Sequence, residues 1–158
     1  MANETKMVFG SSTTVISHAA TLASAANTYS GLAGCTMTAL DNSTTLYPWA
    51  RAVLNITDTF AAAPTPGGTI DLYMSLEDVD GTTDEVPLPG ATDIVYLARY
   101  VGSFVLDNND TATVKAITIS LEGVTRAQFY ILNSSGQQIS YASTATTVKV
   151  TPFTYAPT

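Results

Sequence analysis

The chain has 158 residues but only one cysteine, one histidine, one tryptophan and six basic side chains. Each shortage excludes something. With Cys35 alone, no internal disulfide closes and no cysteine-based metal cluster forms. With His18 alone, a multi-histidine metal centre is ruled out, and a polar group on a strand or its edge is the expected role. A Ser-His-Asp triad would have to use that same imidazole, and no Gly-x-Ser-x-Gly elbow accompanies it. Spacing alone does not exclude a Cys35/His18 pair, although neither residue has a local signature of catalysis. The basic residues Lys6, Arg51, Arg99, Lys115, Arg126 and Lys149 are scattered, and the formal net charge is −7. That balance argues against nonspecific binding to nucleic acid or an anionic membrane, which needs Lys/Arg patches. No apolar run approaches the ~20 residues of a membrane span. The N-terminus lacks the apolar core of a signal peptide, so the expectation is a soluble protein made in the cytoplasm. Phosphate loops and dinucleotide fingerprints are absent, and no cofactor is implied.

Charged residues make up only 12% of the chain, against about 25% in an average domain. Thr and Ser replace much of that charge, at roughly a quarter of the sequence. β-branched Thr suits strands, and Ser bonds locally to backbone in turns. The hydrophobic fraction is 46%. A low-charge surface of this kind suits lasting contact with another protein and equally suits an ordinary all-β composition. The length indicates one domain, large enough to bury roughly two-thirds of its unfolded surface without a staple.

Residues 46–77 organise the pattern. Ala50, Ala52, Leu54 and Ile56 alternate with Arg51, Val53, Asn55 and Thr57; Ile70, Leu72, Met74 and Leu76 alternate with Asp71, Tyr73, Ser75 and Glu77. Successive strand side chains point to opposite faces, so each arm has one face fit for a core. Pro48 places the start of the first strand at Trp49 or puts that strand at an edge. Between the arms, Pro64, Pro66, Gly67 and Gly68 break any regular structure. So long a loop argues against a tight hairpin and allows the arms to lie in different sheets. Their Arg51/Asn55 and Asp71/Tyr73 faces are the places to seek contacts with a neighbouring subunit.

Elsewhere, residues 1–10 read as an extended arm and residues 11–158 as a single domain. Strands are expected over 13–22, 94–97, 100–106, 113–121, 129–132, 139–141 and 146–155, with turns at 107–110, 122–123 and 133–136. A short Ala-rich helix is conceivable over 20–26. The segment 23–45 is otherwise weakly patterned, with turn chemistry at Asp41, Asn42 and Ser43. Seven of the acids cluster from Asp71 to Asp93 with no basic residue among them. Residues 78–85 imitate a calcium loop, but the Gly comes too soon after the second Asp and the Glu arrives too early, so a solvated connection is expected. Tyr29, Tyr47, Trp49, Tyr73, Tyr96 and Tyr100 have rings able to stack on sugars, and all are also ordinary sheet filler. Sequons at Asn42, Asn55, Asn109 and Asn133 reflect the abundance of Thr and Ser. About eight strands with hardly any helix predict an all-β, antiparallel two-sheet sandwich of jelly-roll type. The immunoglobulin alternative lacks its paired cysteines.

Three segments resemble small virion proteins of tailed bacteriophages: residues 6–12 (Lys6, Met7, Val8, Phe9, Gly10, Ser11, Ser12), residues 41–47 (Asp41, Asn42, Ser43, Thr44, Thr45, Leu46, Tyr47) and residues 66–73 (Pro66, Gly67, Gly68, Thr69, Ile70, Asp71, Leu72, Tyr73). The resemblance implies a non-enzymatic decoration (cement) protein on the capsid exterior, often trimeric, binding the lattice of the major capsid protein. It carries no catalytic residues over. Lys6, Met7, Phe9, Trp49, Arg51 and Tyr73 are the expected partner contacts. An extended arm serves such contacts by β-addition, or else forms the first strand of its own sheet. A tail or fibre component and a carbohydrate-binding module are the rival expectations.

Overall fold

A computed structural model describes residues 5–77 and 98–157. Among the described residues there are ten strands and no helix. They are β1 (Thr5–Phe9), β2 (Thr13–His18), β3 (Cys35–Met37), β4 (Leu40–Asp41), β5 (Trp49–Ile56), β6 (Thr69–Glu77), β7 (Arg99–Val105), β8 (Thr113–Ser120), β9 (Arg126–Ser134) and β10 (Thr146–Pro157). Every pairing is antiparallel. One sheet runs β3-β2-β10-β5-β8, with β1 also on β10; the other runs β4-β9-β6-β7. The protein is therefore an all-β antiparallel two-sheet sandwich. The expected strand at 94–97 and the acidic loop 78–85 fall outside the described residues.

The two arms of 46–77 do lie in different sheets, with β5 in the larger and β6 in the smaller. Pro48 marks the start of β5, and that strand is central rather than at an edge, flanked by β10 and β8. Pro48 lacks an N–H but still uses its carbonyl, which accepts from Leu121 N at 2.8 Å. The alternating positions behave as their periodicity requires. Ala50, Ala52, Leu54 and Ile56 from β5 meet Ile70, Leu72 and Met74 from β6 in one core, completed by Phe104, Phe129, Ile131, Val148 and Val150.

β10 has neighbours on both edges. Along one edge, β2 pairs with residues 146–150 and β1 pairs with residues 153–157; along the other, β5 pairs with residues 147–153. Residues 5–9 thus form the first strand of the domain's own sheet. Pro152 sits opposite the break between β1 and β2, where its carbonyl accepts from Gly10 N at 2.8 Å. A strand residue's N–H points the same way as its carbonyl, so the donor that proline lacks would have fallen in that break.

The weakly patterned segment departs most from expectation. Residues 20–26 form no helix. Leu22 exchanges both backbone bonds with Ile139, and Ala25 N and Thr28 N donate to the carbonyls of Asn133 and Ile131. This stretch is an irregular border of the smaller sheet, because β9 offers it free backbone groups that a helix would have left unpaired. The strand expected at 139–141 is reduced to single bridges from Ile139 to Leu22 and Phe60. Strands β3 and β4, which have too few residues to show a period, were not expected.

Asn133 holds this border together. It is fully buried, and its Nδ2 donates to the carbonyls of Leu22 (3.2 Å), Ala23 (3.1 Å) and Gln137 (2.8 Å). Its Oδ1 accepts from Ser135 N (3.2 Å) and Ser135 Oγ (2.6 Å). The Pro-Gly loop leans on the same turn: Thr65 N and Oγ1 both donate to Ser135 O, at 2.9 Å each. Gly68 fits there only because it has no side chain, since a Cβ would lie 2.8 Å from Ser135 O. Leaving several buried polar groups unpaired costs about 1–3 kcal/mol, and more when one residue serves several partners. Asn133→Ala is therefore expected to lower stability by roughly 2–3 kcal/mol in urea denaturation, whereas Asn109→Ala, at an exposed turn, should change it by less than about 1 kcal/mol.

Candidate functional site

The rarest residue types come first. His18 is buried on β2 directly opposite Cys35 on β3, so the pair allowed by spacing is brought together. It does not form a nucleophilic couple, because neither ring nitrogen of His18 makes a hydrogen bond to the Cys35 sulfur. The surroundings also oppose thiolate formation, and burial pushes the Cys35 thiol up to about 11. Burial likewise pushes the His18 pKa below its ordinary value, which the Thr21 backbone offsets only in part. Both are packing residues facing the interior. Among the described residues no group of three or more His, Cys, Asp or Glu side chains is placed to hold a metal ion.

The outer face of the six-stranded sheet has a different character. On β10, Val148, Val150 and Pro152 point inward, so Lys149, Thr151, Phe153 and Tyr155 point outward. Register carries this face across the neighbouring strands. Met7 stands opposite Tyr155, Phe9 and Trp49 both stand opposite Phe153, and Arg51 stands opposite Thr151. On β8 the outward positions opposite Trp49, Arg51, Val53 and Asn55 are Ser120, Thr118, Ala116 and Val114. Along β1, β10, β5 and β8 this face has the cations Arg51 and Lys149 and no acid, on a chain of net charge −7.

At one end of the face the aromatic residues gather. Phe153 packs against Phe9 with the rings tilted by 53° and 5.8 Å between centroids, and meets Tyr155 edge-on at 5.7 Å. Such contacts are worth about 0.5–1.5 kcal/mol each beyond the area they bury. Phe153 is only 3% exposed although it faces outward, while Phe9 is 53% and Tyr155 57% exposed. Phe153 is therefore the floor of the cluster, and Met7, Phe9, Trp49 and Tyr155 present apolar surface to solvent. A contiguous apolar patch of this kind on a soluble protein marks an interaction site more often than scattered exposed residues do.

Of the six expected contact residues, the structure brings four together: Met7, Phe9, Trp49 and Arg51. Lys6 lies on β1 opposite Ala156 and, by alternation, points to the other side of the sheet. Tyr73 is on the other sheet altogether and is 7% exposed, packed with Tyr130, Leu132 and Ala98 and backed by Met37. It lies on the outward side of β6, and cross-strand packing against Tyr130 covers it. Tyr100 meets Tyr73 edge-on at 5.5 Å; Tyr73 and Tyr100 lie on the smaller sheet and Trp49 on the larger one, while Tyr96 falls outside the described residues. Sequence reading missed Phe153 and Tyr155 as members of the patch. The signal was present, since they share the parity of Lys149 and oppose that of Val148.

The smaller sheet's outer face combines the apolar cluster around Tyr73 with paired polar groups. Asp71 accepts from Ser103 Oγ at 2.5 Å and Ser134 Oγ at 2.7 Å, and Ser103 Oγ also pairs with Tyr100 Oη at 2.7 Å. Glu77 is paired with Arg126 at 2.9 Å. No protein-family model matches the chain, and no curated protein shows significant similarity to it.

An unfolded His18 takes up a proton near pH 6.5, whereas the folded chain resists protonation to a lower pH. Stability should therefore be full above about pH 6.5 and should fall as pH drops from there toward the lowered folded value. His18→Leu removes both buried ring nitrogens. The expected outcome is unchanged or higher stability at neutral pH and loss of this part of the acid-side slope, read from denaturation midpoints between about pH 7 and 5.

Proposed function

We propose that this chain is a non-enzymatic virion protein that decorates a tailed-phage capsid on its exterior, binding the outer lattice of the major capsid protein as a homotrimer. The observation that carries the reading is the aromatic corner on the acid-free outer face of the six-stranded sheet. Recognition surfaces draw most of their energy from a few large apolar or Arg anchors ringed by weakly contributing polar residues. Phe9, Trp49 and Tyr155 supply the rings, Arg51 supplies the guanidinium, and the Thr and Ser positions around them form a rim that is easily dehydrated. The same face, free of carboxylates, approaches an acid-bearing surface without like-charge repulsion.

The resemblance of residues 6–12, 41–47 and 66–73 to virion proteins supports the same reading. We take the sandwich itself as a jelly roll. The order β2-β10-β5-β8 in one sheet and β4-β9-β6-β7 in the other supports that reading, since it is compatible with two interlocked Greek keys. A fold of this kind presents broad, rigid sheet faces, which suits a module whose work is contact rather than chemistry.

Imaging of purified particles is the test. Added density at outer lattice points is expected when the protein is bound. Trp49→Ala with Tyr155→Ser should weaken particle binding by about tenfold or more while the chain still unfolds in one cooperative transition, lowered by no more than about 2–3 kcal/mol. Density on the tail, or wild-type binding by that double variant, overturns the reading.

A further inference from the structure

We propose that the cleft between the β1–β2 turn and the β4–β5 connection is a binding site for a neutral saccharide. The cleft holds about 700 Å³, within the range of pockets that take small ligands. One wall is the turn at residues 10–13 and the other is the segment 38–47, with Phe9 and Pro152 at its margin. The proposal does not depend on the capsid reading, and the cleft shares only Phe9 with the aromatic corner.

The chemistry of the lining selects the ligand class. Thr13, Thr38, Thr44 and Tyr47 contribute hydroxyls, each able to donate and to accept. Asp41 is the only ionised side chain of the lining, and no Lys, Arg or His accompanies it. An anionic ligand would meet that carboxylate, while the cation across the strand from it, Arg126, lies outside the lining and is already paired with Glu77. A bare divalent cation would find one carboxylate where such ions recruit several oxygen ligands. A wholly apolar ligand would leave the hydroxyls and the carboxylate unpaired. A sugar meets every condition: its hydroxyls donate to a carboxylate and exchange hydrogen bonds with Thr side chains, and its C–H faces pack on rings such as Phe9 and Tyr47.

The cleft is also built to hold its shape. Asn42 is buried behind it, with Nδ2 donating to Tyr47 O at 3.0 Å and Val124 O at 2.9 Å, and Oδ1 accepting from Tyr47 N at 3.0 Å. The Tyr47 backbone is thereby gripped at both its donor and its acceptor. Its ring lies flush on Gly10, where a Cβ would come within 2.7 Å of Cε2. Asp41 Oδ1 accepts from both Ser43 N (2.9 Å) and Ser43 Oγ (2.7 Å), which orients the carboxylate and leaves Oδ2 without a hydrogen bond among the described residues. Groups held in place before the ligand arrives lose little entropy on binding it.

The test is a titration of the isotope-labelled full chain with cellotriose, maltotriose, triacetylchitotriose and the corresponding monosaccharides, followed through backbone amide resonances. At least one sugar should produce saturable shifts confined to residues 9–13 and 38–47. Tighter binding of a trisaccharide than of its monosaccharide identifies a glycan chain as the ligand, and equal binding identifies a single sugar. Asp41→Asn and Thr44→Val should each weaken that binding by about tenfold, with resonances outside the cleft unmoved to show an intact fold. Four results would overturn the proposal: no saturable shift with any sugar, shifts centred on Trp49 and Tyr155, unchanged affinity in both variants, or displacement of the sugar by inorganic phosphate.

Discussion

The structure depends on backbone pairing along both edges of β10. This strand is last in the chain and lies at the centre of the larger sheet, with β5 on one side and β2 followed by β1 on the other. Without it, β1 and β2 would have no ladder toward the centre of the sheet, and the inward row of Val148, Val150 and Pro152 would be missing from the core. A strand that completes two edges at once forms contacts distant in sequence, and their loop-closure cost falls due before the reward. The break between β1 and β2 is part of this arrangement, because it lets Pro152 sit inside a sheet.

Two buried amides do for the irregular segments what ladders do for the strands. Asn133 gathers residues 22–25 and the 135–137 turn against the end of β9. Asn42 fastens the β4–β5 connection to Val124 and grips the Tyr47 backbone from both sides. An amide side chain carries donors and an acceptor together, so one residue satisfies several strand-end carbonyls that would otherwise be buried unpaired. Asp58 plays a related part at the surface, accepting from the backbone N–H groups of Ala142, Ser143 and Thr144, which hold its carboxyl below the usual range. Asn42 and Asn133 both sit in sequons, and their burial makes them structural clamps rather than surface sites.

The outcome is a rigid frame with two neighbouring but chemically different surfaces. The outer face of the larger sheet is rich in Thr, free of acid along its main strands and aromatic at one corner. The cleft beside it is concave, rich in hydroxyls and marked by a single carboxylate. Phe9 belongs to both, which joins them into one continuous region around the end of β1. His18 and Cys35, the residues that composition alone made conspicuous, lie apart from this region, His18 buried and Cys35 half-buried against the core.

Much was legible in the sequence, and it was the part that depends on neighbours along the chain. The period of two in β5, β6, β8 and β10 follows from the pleat of a single strand, so the inward rows and the all-β class were readable without partners. The start at Trp49 was readable because Pro48 constrains its own backbone. The parity that puts Phe153 and Tyr155 outward was readable too, although only register with Met7, Phe9 and Trp49 turned those positions into a patch. Tertiary structure decided the rest. Tyr73 and Arg51 both occupy outward strand positions, yet Tyr130 covers one and water reaches the other, and no local pattern separates them. The border at residues 20–28 lost to β9 the helix that its alanines favoured, because satisfying buried backbone groups outweighs a propensity of a few tenths of a kcal/mol per residue. The cleft lies between turns at residues 10–13 and 38–47, which belong to different sheets' edges. Their meeting depends on long-range pairing, so strand character was a property of the sequence while the candidate site belongs to the assembled fold.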